Sequence, residues 1–115
     1  EEGVWTPTNT NSGSISGPIG QYTRIGRVVY VQGYFQTHSS TAVSNTFGGL
    51  PFVIGTTEAS RSGGWTSYNG DAVETYSILA SSAGTSAFSF YHGSNVIVLS
   101  TNKHMYFSLQ YLTSF

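Results

Sequence analysis

Apolar and polar side chains alternate most regularly between positions 27 and 37. Val29, Val31 and Phe35 occupy odd positions, whereas tyrosines and glutamines occupy the even ones. Successive residues of a strand point to opposite faces, so this period of two predicts a long β-strand with one core face. Gly33 interrupts the pattern and predicts a bulge or a closely approaching backbone.

The C-terminal segment repeats this alternation. On one face it places the apolar residues Met105, Phe107, Leu109, Tyr111 and Phe115. The opposite face receives Ser108, Gln110 and Ser114. We therefore expect the early strand and the last strand to turn their apolar faces towards one shared interior.

Shorter strand signals lie between and before these two segments. They predict strands within positions 1–10, 45–52, 74–80, 87–92 and 95–100. The last of these is apolar on both faces, which is typical of a strand covered on both sides. Residues 9–20 and 54–70 are rich in small polar and turn-forming residues, so both are predicted to be loops, the first with a short strand around Ile15.

The number and spacing of these segments predict the fold class. About eight short strands at roughly ten-residue spacing, without helical periodicity, indicate an all-β antiparallel β-sandwich, jelly-roll-like and without substantial helix. The 115 residues are expected to form a single domain. Because the chain starts with Glu1 instead of methionine, we expect it to be the C-terminal part of a longer protein.

Charge composition narrows the classes of partner. Only 8% of residues are charged, the net charge is -1, and arginine and lysine together number 4. So few cations disfavour binding to nucleic acid through its phosphates. No apolar run approaches the roughly 20 residues that span a bilayer, so membrane insertion is not expected. Cysteine is absent, which excludes thiolate metal sites and disulfides.

The titratable residues give little support for catalysis or for metal binding. Glu58, Asp71 and Glu74 are the acids from which a glycosidase pair would be drawn, but solvated turn positions explain them more simply, and we expect no enzyme. His38, His92 and His104 lack metal-ligand spacing, so neither a metal nor another cofactor is expected. The alternative is a shared site: if three subunits surround a threefold axis, one histidine near that axis becomes three ligands.

A carbohydrate site needs an aromatic ring for the apolar face of a sugar and polar groups for its hydroxyls. The segment from 54 to 70 and the residues after it supply both. The predicted ligand-binding residues are Arg61, Trp65, Tyr68, Asn69 and Asp71. The alternative for Trp65 is a structural lid on the core.

The polar faces of the two long strands are a candidate subunit interface. Tyrosine is enriched in interfaces, and a surface with few charges lets subunits approach closely. The predicted interface residues are Tyr30, Gln32, Tyr34, Gln36, Tyr106, Gln110 and Leu112.

Several short motifs occur in a recognisable order along the chain. They are GVWTPT (3–8), YTRIGRVVYVQGYF (22–35), GLPF (49–52) and the final Tyr111-Leu112-Thr113. In this order the sequence resembles the C-terminal domains of bacteriophage tail fibres and tailspikes. The resemblance implies a β-sandwich that assembles as a homotrimer at the tip of a fibre or spike on the virion, outside the host cell.

The function implied by this resemblance is attachment to a bacterial cell-surface polysaccharide without catalysis. A purely structural module that trimerises and caps the fibre is the alternative. A polysaccharide depolymerase is the least favoured, because such enzymes usually occupy a separate upstream domain of these proteins. The family has no fixed ligand residues in these motifs, so no binding site is transferred from it.

Overall fold

A computed structural model describes residues 1–39, 43–69 and 76–114, without the side chains of positions 67–69. Within these ranges the secondary structure consists of β-strands and one 3₁₀ turn at Glu58–Ser60. The strands are β1 (Glu2–Trp5), β2 (Thr8–Asn9), β3 (Ile15–Ile25), β4 (Val28–Thr37), β5 (Phe47–Gly48), β6 (Gly63–Asn69), β7 (Ser77–Ala80), β8 (Phe88–His92), β9 (Asn95–Val96) and β10 (His104–Leu112).

The strands form one curled antiparallel sheet. Its hydrogen-bonded order is β1-β3-β4-β10-β6-β7-β8-β5-β2, and β9 pairs with β8. Only Thr6 and Pro7 separate β1 from β2, although these strands lie at opposite ends of that order. The sheet must therefore curl until its two edges meet near Pro7, a buried residue that has no N–H to donate. The prediction of an all-β, sandwich-like antiparallel fold is confirmed.

The interior lies between the long strands and the short strands that curl over them. Val29, Val31, Phe107 and Leu109 are all buried, as the alternation predicts. The ring of Phe107 meets those of Phe88 and Phe90 at 5.5 and 5.6 Å between centroids. Packing of aromatic rings across the two layers thus fills the core.

Gly33 has a different role from the predicted one. It pairs with Gly20 of β3 and with Phe107 of β10, and no bulge occurs there. A Cβ at Gly33 would lie 2.4 Å from the Phe107 ring, and one at Gly20 would lie 2.2 Å from the indole of Trp5. The two glycines therefore leave room for aromatic side chains, whose rings meet edge to face at 6.2 Å.

Both predicted loops contain strands. The strand expected around Ile15 is present but longer than predicted, because β3 starts at Ile15 and continues through Gly17 and Pro18, where its register with β4 shifts. β6 lies within the predicted surface loop, yet it pairs with both β10 and β7. The turn-forming residues predicted loops, but hydrogen bonds to neighbouring strands hold both segments in strands against this local preference.

The predicted strand at 95–100 is also wrong. Only Asn95 and Val96 form a strand, and Val98 is exposed. Leu99 alone is buried there. β9 lies at the margin of the sheet and has no second layer over it, so apolar composition did not imply coverage on both sides.

The outer sheet face as candidate functional site

The outer sheet face is the solvent side of β4, β10 and β6. Even-numbered residues of β4 and β10 point outward because their odd-numbered neighbours are buried. Across the ladder Tyr30 lies opposite Gln110, Gln32 opposite Ser108, and Tyr34 opposite Tyr106. The predicted interface residues therefore form one continuous surface, which Gln36 and Leu112 complete.

Trp65 belongs to the same face. In β6 it pairs with Ser108 of β10 on one side and with Ser77 of β7 on the other. Its side chain is 62% exposed, so the alternative of a structural lid is wrong. Ser108 lies between Gln32 and Trp65, and two strand spacings of about 4.8 Å separate the backbones that carry these side chains.

Small residues create a depression beside Trp65. Ser62, Gly63 and Ser108 project little from the sheet, whereas Trp65 and Tyr30 rise around them. The depression encloses about 320 Å³, and its lining also includes Val31, Gln32, Gly64, Leu109 and Gln110. An aromatic wall beside amide groups is a common arrangement in ligand sites.

Two further depressions adjoin it. One of about 440 Å³ is lined by Glu2, Gln21, Thr23 and Tyr30, among others. The third, of about 250 Å³, is lined by Ile19, Gly20, Gln21, Gly33 and Tyr34. Gln32 lines all three depressions, so they are connected across the outer sheet face.

At one end of this face the side chains bind each other. The Tyr34 hydroxyl and His104 Nδ1 are 2.8 Å apart, and Gln36 Nε2 donates to Asn102 Oδ1 at 3.0 Å. The Tyr34 and Tyr106 rings are in contact, with centroids 4.7 Å apart. We call this part, around Tyr34, Gln36 and His104, the closed end.

At the other end, around Tyr30, Gln32, Trp65 and Gln110, polar groups remain available. Within the described part of the chain, the side-chain amides of Gln32 and Gln110 have no hydrogen-bond partner. Each such amide offers a carbonyl acceptor and two N–H donors. We call this part the open end. It has the unoccupied hydrogen-bonding capacity that a polar ligand requires.

The electrostatics of the face are set by the location of the basic residues. None of Arg24, Arg27, Arg61 or Lys103 lines the three depressions. Glu2 is the one charged residue among those that do. Beside it the Tyr22 hydroxyl donates to the Glu1 carboxylate at 3.0 Å, and this hydrogen bond raises the pKa of Tyr22. The face is therefore uncharged at its open end and slightly acidic at one margin.

Only Trp65 of the five predicted ligand-binding residues is seen to line the face. Arg61 donates to the Ala80 carbonyl at 3.1 Å and forms an ion pair of 2.9 Å with Glu58. Arg61 therefore has partners outside the outer sheet face, and it lines none of the three depressions. Tyr68 and Asn69 have backbones in β6, with side chains outside the described residues, and Asp71 lies outside them entirely.

The remaining titratable residues form no metal centre in the described ranges. No group of three or more histidine, aspartate or glutamate side chains there is arranged to hold a metal ion. His92 lies 6.2 Å from Tyr76 between ring centroids, far along the sheet from His104. Of the three candidate acids, Glu58 pairs with Arg61, and Asp71 and Glu74 lie outside the described residues.

Sequence reasoning missed the residues that shape the depression. Gly63 and Gly64 looked like loop residues, yet a Cβ there would lie 2.0 and 1.9 Å from the carbonyl oxygens of Ile78 and Ser108. The available signal was the alternation of Gly63 with Trp65, which places both on one face of a strand. The turn propensity of the glycines concealed it.

Comparison with protein-family models, curated proteins and solved structures finds no significant match to this chain. The similarity to tail-fibre and tailspike domains therefore rests on the ordered motifs alone. In the described part of the chain, no helix has the length and apolar character needed to cross a membrane. Function has to be argued from the outer sheet face.

Proposed function

We propose that this chain is a non-catalytic attachment module, the distal tip of a phage tail fibre or tailspike that binds a bacterial surface glycan as a homotrimer. The observation that carries the proposal is the exposure of large aromatic side chains on an almost uncharged sheet face. Trp65 is 62% exposed, Tyr30 46% and Tyr106 45%. Exposed aromatic residues grouped in this way mark binding surfaces.

Glycan binding agrees with the chemistry of the open end. An indole ring stacks on the apolar face of a sugar ring, and amide groups donate to and accept from hydroxyls. Trp65 supplies the ring, while Gln32 and Gln110 supply amides that line the same depression. The adjoining depression continues from there towards Gln21, which gives a longer saccharide chain a continuous path.

A purely structural role in trimerisation is the second candidate. It is favoured by the closed end, where the rings of Tyr34, Tyr106 and His104 form an aromatic cluster. Such aromatic clusters are typical of subunit interfaces. In this role the whole outer sheet face contacts sister subunits, and no glycan binds to it.

The two candidates are separated by measuring binding and native mass on the same proteins. We expect Trp65→Ala to retain the native mass and to lose binding to the bacterial surface polysaccharide by about tenfold or more. Val53→Ala is the matched control, because Val53 is 54% exposed but lines none of the three depressions. Tyr34→Glu should dissociate the trimer, since it places a charge in a closely packed aromatic cluster.

Normal polysaccharide binding by Trp65→Ala, together with loss of the trimer in Tyr34→Glu, would favour the structural role. A wild-type chain that is monomeric at micromolar concentration would contradict the trimer. Absence of binding to every bacterial surface polysaccharide tested would contradict attachment through glycans.

A further inference from the structure

We infer that the ligand of the open end is a neutral saccharide, one whose rings carry hydroxyls and no carboxylate, sulfate or phosphate. This inference rests on the proposed function and adds the chemical class of the glycan. Bacterial surface polysaccharides include both neutral and acidic polymers, so the class is a real choice. The charges near Trp65 and the hydrogen-bonding groups available there discriminate between the two classes.

The depression beside Trp65 contains no cation that could neutralise an acidic sugar. All of its lining residues are aromatic, aliphatic, hydroxyl, amide or glycine. An anion moved out of water without a partner loses hydration that nothing replaces. Arginine is the usual partner of a carboxylate or phosphate, through two parallel hydrogen bonds.

Arg61, the arginine nearest to Trp65 in sequence, already has other partners. The Arg61 side chain donates to Ala80 O and to Glu58, so two of its nitrogens already have partners. Turning it towards Trp65 would break an ion pair and leave the Ala80 carbonyl without this donor. Arg24 is held similarly, 4.7 Å above the Phe52 ring and bonded to Gly26 O.

The charge that does lie on the face repels anions. Glu2 lines the 440 Å³ depression, which shares Tyr30 and Gln32 with the one beside Trp65. An acidic polymer that follows the connected depressions would pass this carboxylate. Repulsion of like charges in this way discriminates against a competing ligand without affecting a neutral one.

The available polar groups suit hydroxyls. A sugar hydroxyl both donates and accepts, and so does a glutamine amide. Gln32 lies on β4, across Ser108 from Trp65, whereas Gln110 lies on β10, opposite Tyr30, and both line the depression. A pyranose ring stacked on the indole would therefore have both amides in the same depression as partners for its hydroxyls.

Pairs of oligosaccharides that differ only at C6, as a hydroxymethyl group or a carboxylate, test the inference. Suitable probes are hexamers of β-1,4-linked glucose, mannose and galactose and the matching hexamers of their uronic acids, titrated into the intact protein by calorimetry. We expect at least one neutral hexamer to bind about tenfold or more tightly than its acidic partner. The preference should persist at high salt, where the repulsion by Glu2 is screened but the missing cation is not restored.

Variants of the two ends localise the effect. Gln32→Leu and Gln110→Leu should each weaken binding of the neutral hexamer by about tenfold. Gln36→Leu is the matched control, because its amide already bonds to Asn102, and it should leave binding within about twofold. Gln110→Arg should narrow the preference for the neutral hexamer, since it supplies the cation that the depression lacks.

An acidic hexamer that binds as tightly as its neutral partner would overturn the inference, and so would failure of every neutral hexamer to bind. If the protein then still bound bacterial polysaccharide in a Trp65-dependent manner, the attachment function would stand and only the neutral class would fall. If it bound no polysaccharide at all, both would fall.

Discussion

β4 and β10 each present one face to the core and the other to solvent, and the two faces differ in what they contact. Inward, Val31, Phe35 and Phe107 are buried, and the rings of Phe35 and Phe107 contact Phe47 of β5 and Phe88 of β8. Outward, Tyr30 and Gln110 lie opposite each other in solvent. The inner face is explained by packing alone. The outer face contributes little to packing although it carries large aromatic side chains, and the proposed binding role rests on this contrast.

The largest expected effect is the difference in stability loss between a substitution on the inner face and one on the outer face. Phe107→Ala should lower the free energy of unfolding by about 3–5 kcal/mol, because it removes a ring that contacts Trp5, Phe35, Phe88 and Phe90. Tyr30→Thr, which keeps strand propensity on the outer face, should change it by less than about 0.5 kcal/mol. Urea unfolding measures both, and equal losses would remove the distinction between the faces.

The next effect concerns the buried phenol of Tyr111. Its hydroxyl donates to the Phe52 carbonyl at 2.9 Å and accepts from the Phe52 N–H at 3.2 Å. Burial raises the pKa of Tyr111 from 10.0 to about 12. Between pH 10 and 12 the folded state therefore keeps the hydroxyl proton that the unfolded state has lost. The contribution of this proton to the free energy of unfolding is fully present below pH 10 and decreases between pH 10 and 12, by roughly 1.4 kcal/mol per pH unit.

Unfolding curves of the wild type and Tyr111→Phe between pH 9 and 12 isolate this titration. The variant should be less stable at neutral pH, because the Phe52 N–H and carbonyl lose their partner. The stability advantage of the wild type should shrink as the pH rises above 10. An advantage that stays constant up to pH 12 would show that Tyr111 titrates as in the unfolded chain.

A smaller loss is expected where a glycine makes room for a ring. Gly33→Ala would place a methyl group 2.4 Å from the Phe107 ring, and the surrounding aromatic side chains restrict any shift. Overpacking of this kind typically costs about 1–3 kcal/mol. In a double-mutant cycle with Phe107→Leu, the cost of Gly33→Ala should fall, because the smaller side chain relieves the clash. Additive costs would contradict this role of Gly33.

The smallest expected effect distinguishes the two ends of the outer sheet face. Tyr34→Phe removes the hydrogen bond to His104 and should cost up to about 1 kcal/mol. Tyr30→Phe removes a hydroxyl at the open end and should leave stability unchanged. Thermal unfolding of the two variants provides the test, and equal stabilities would show that the closed end is not held by its own contacts.

Alternation predicted the inner face well. Phe107 and Leu109 are buried at the expected odd positions, because a single register turns every second residue towards the core. Gly33 and the segment containing Trp65 were predicted less well, since their environments come from distant strands. The Cβ of residue 33 is excluded by Phe107, which is far along the chain, and β6 is held by β10.

The candidate site was predicted in its parts but not in its arrangement. Trp65 was expected among loop residues such as Arg61, whereas the sheet places it beside Tyr30 and Gln110, which were expected at a subunit interface. The pairing of β6 with β10 brings these residues together. Local sequence contains no signal for that pairing, because turn-forming glycines begin the strand.

The two tryptophans allow a direct test of binding at the open end. The Trp5 indole is buried and donates to Gln32 O at 3.0 Å, whereas the Trp65 indole is exposed. Their N–H groups should give two separate nuclear magnetic resonance signals, assigned with Trp65→Phe. When bacterial surface polysaccharide is added, we predict that the Trp65 signal shifts and the Trp5 signal stays nearly constant. Binding that leaves the Trp65 signal unchanged would contradict a functional role for the open end.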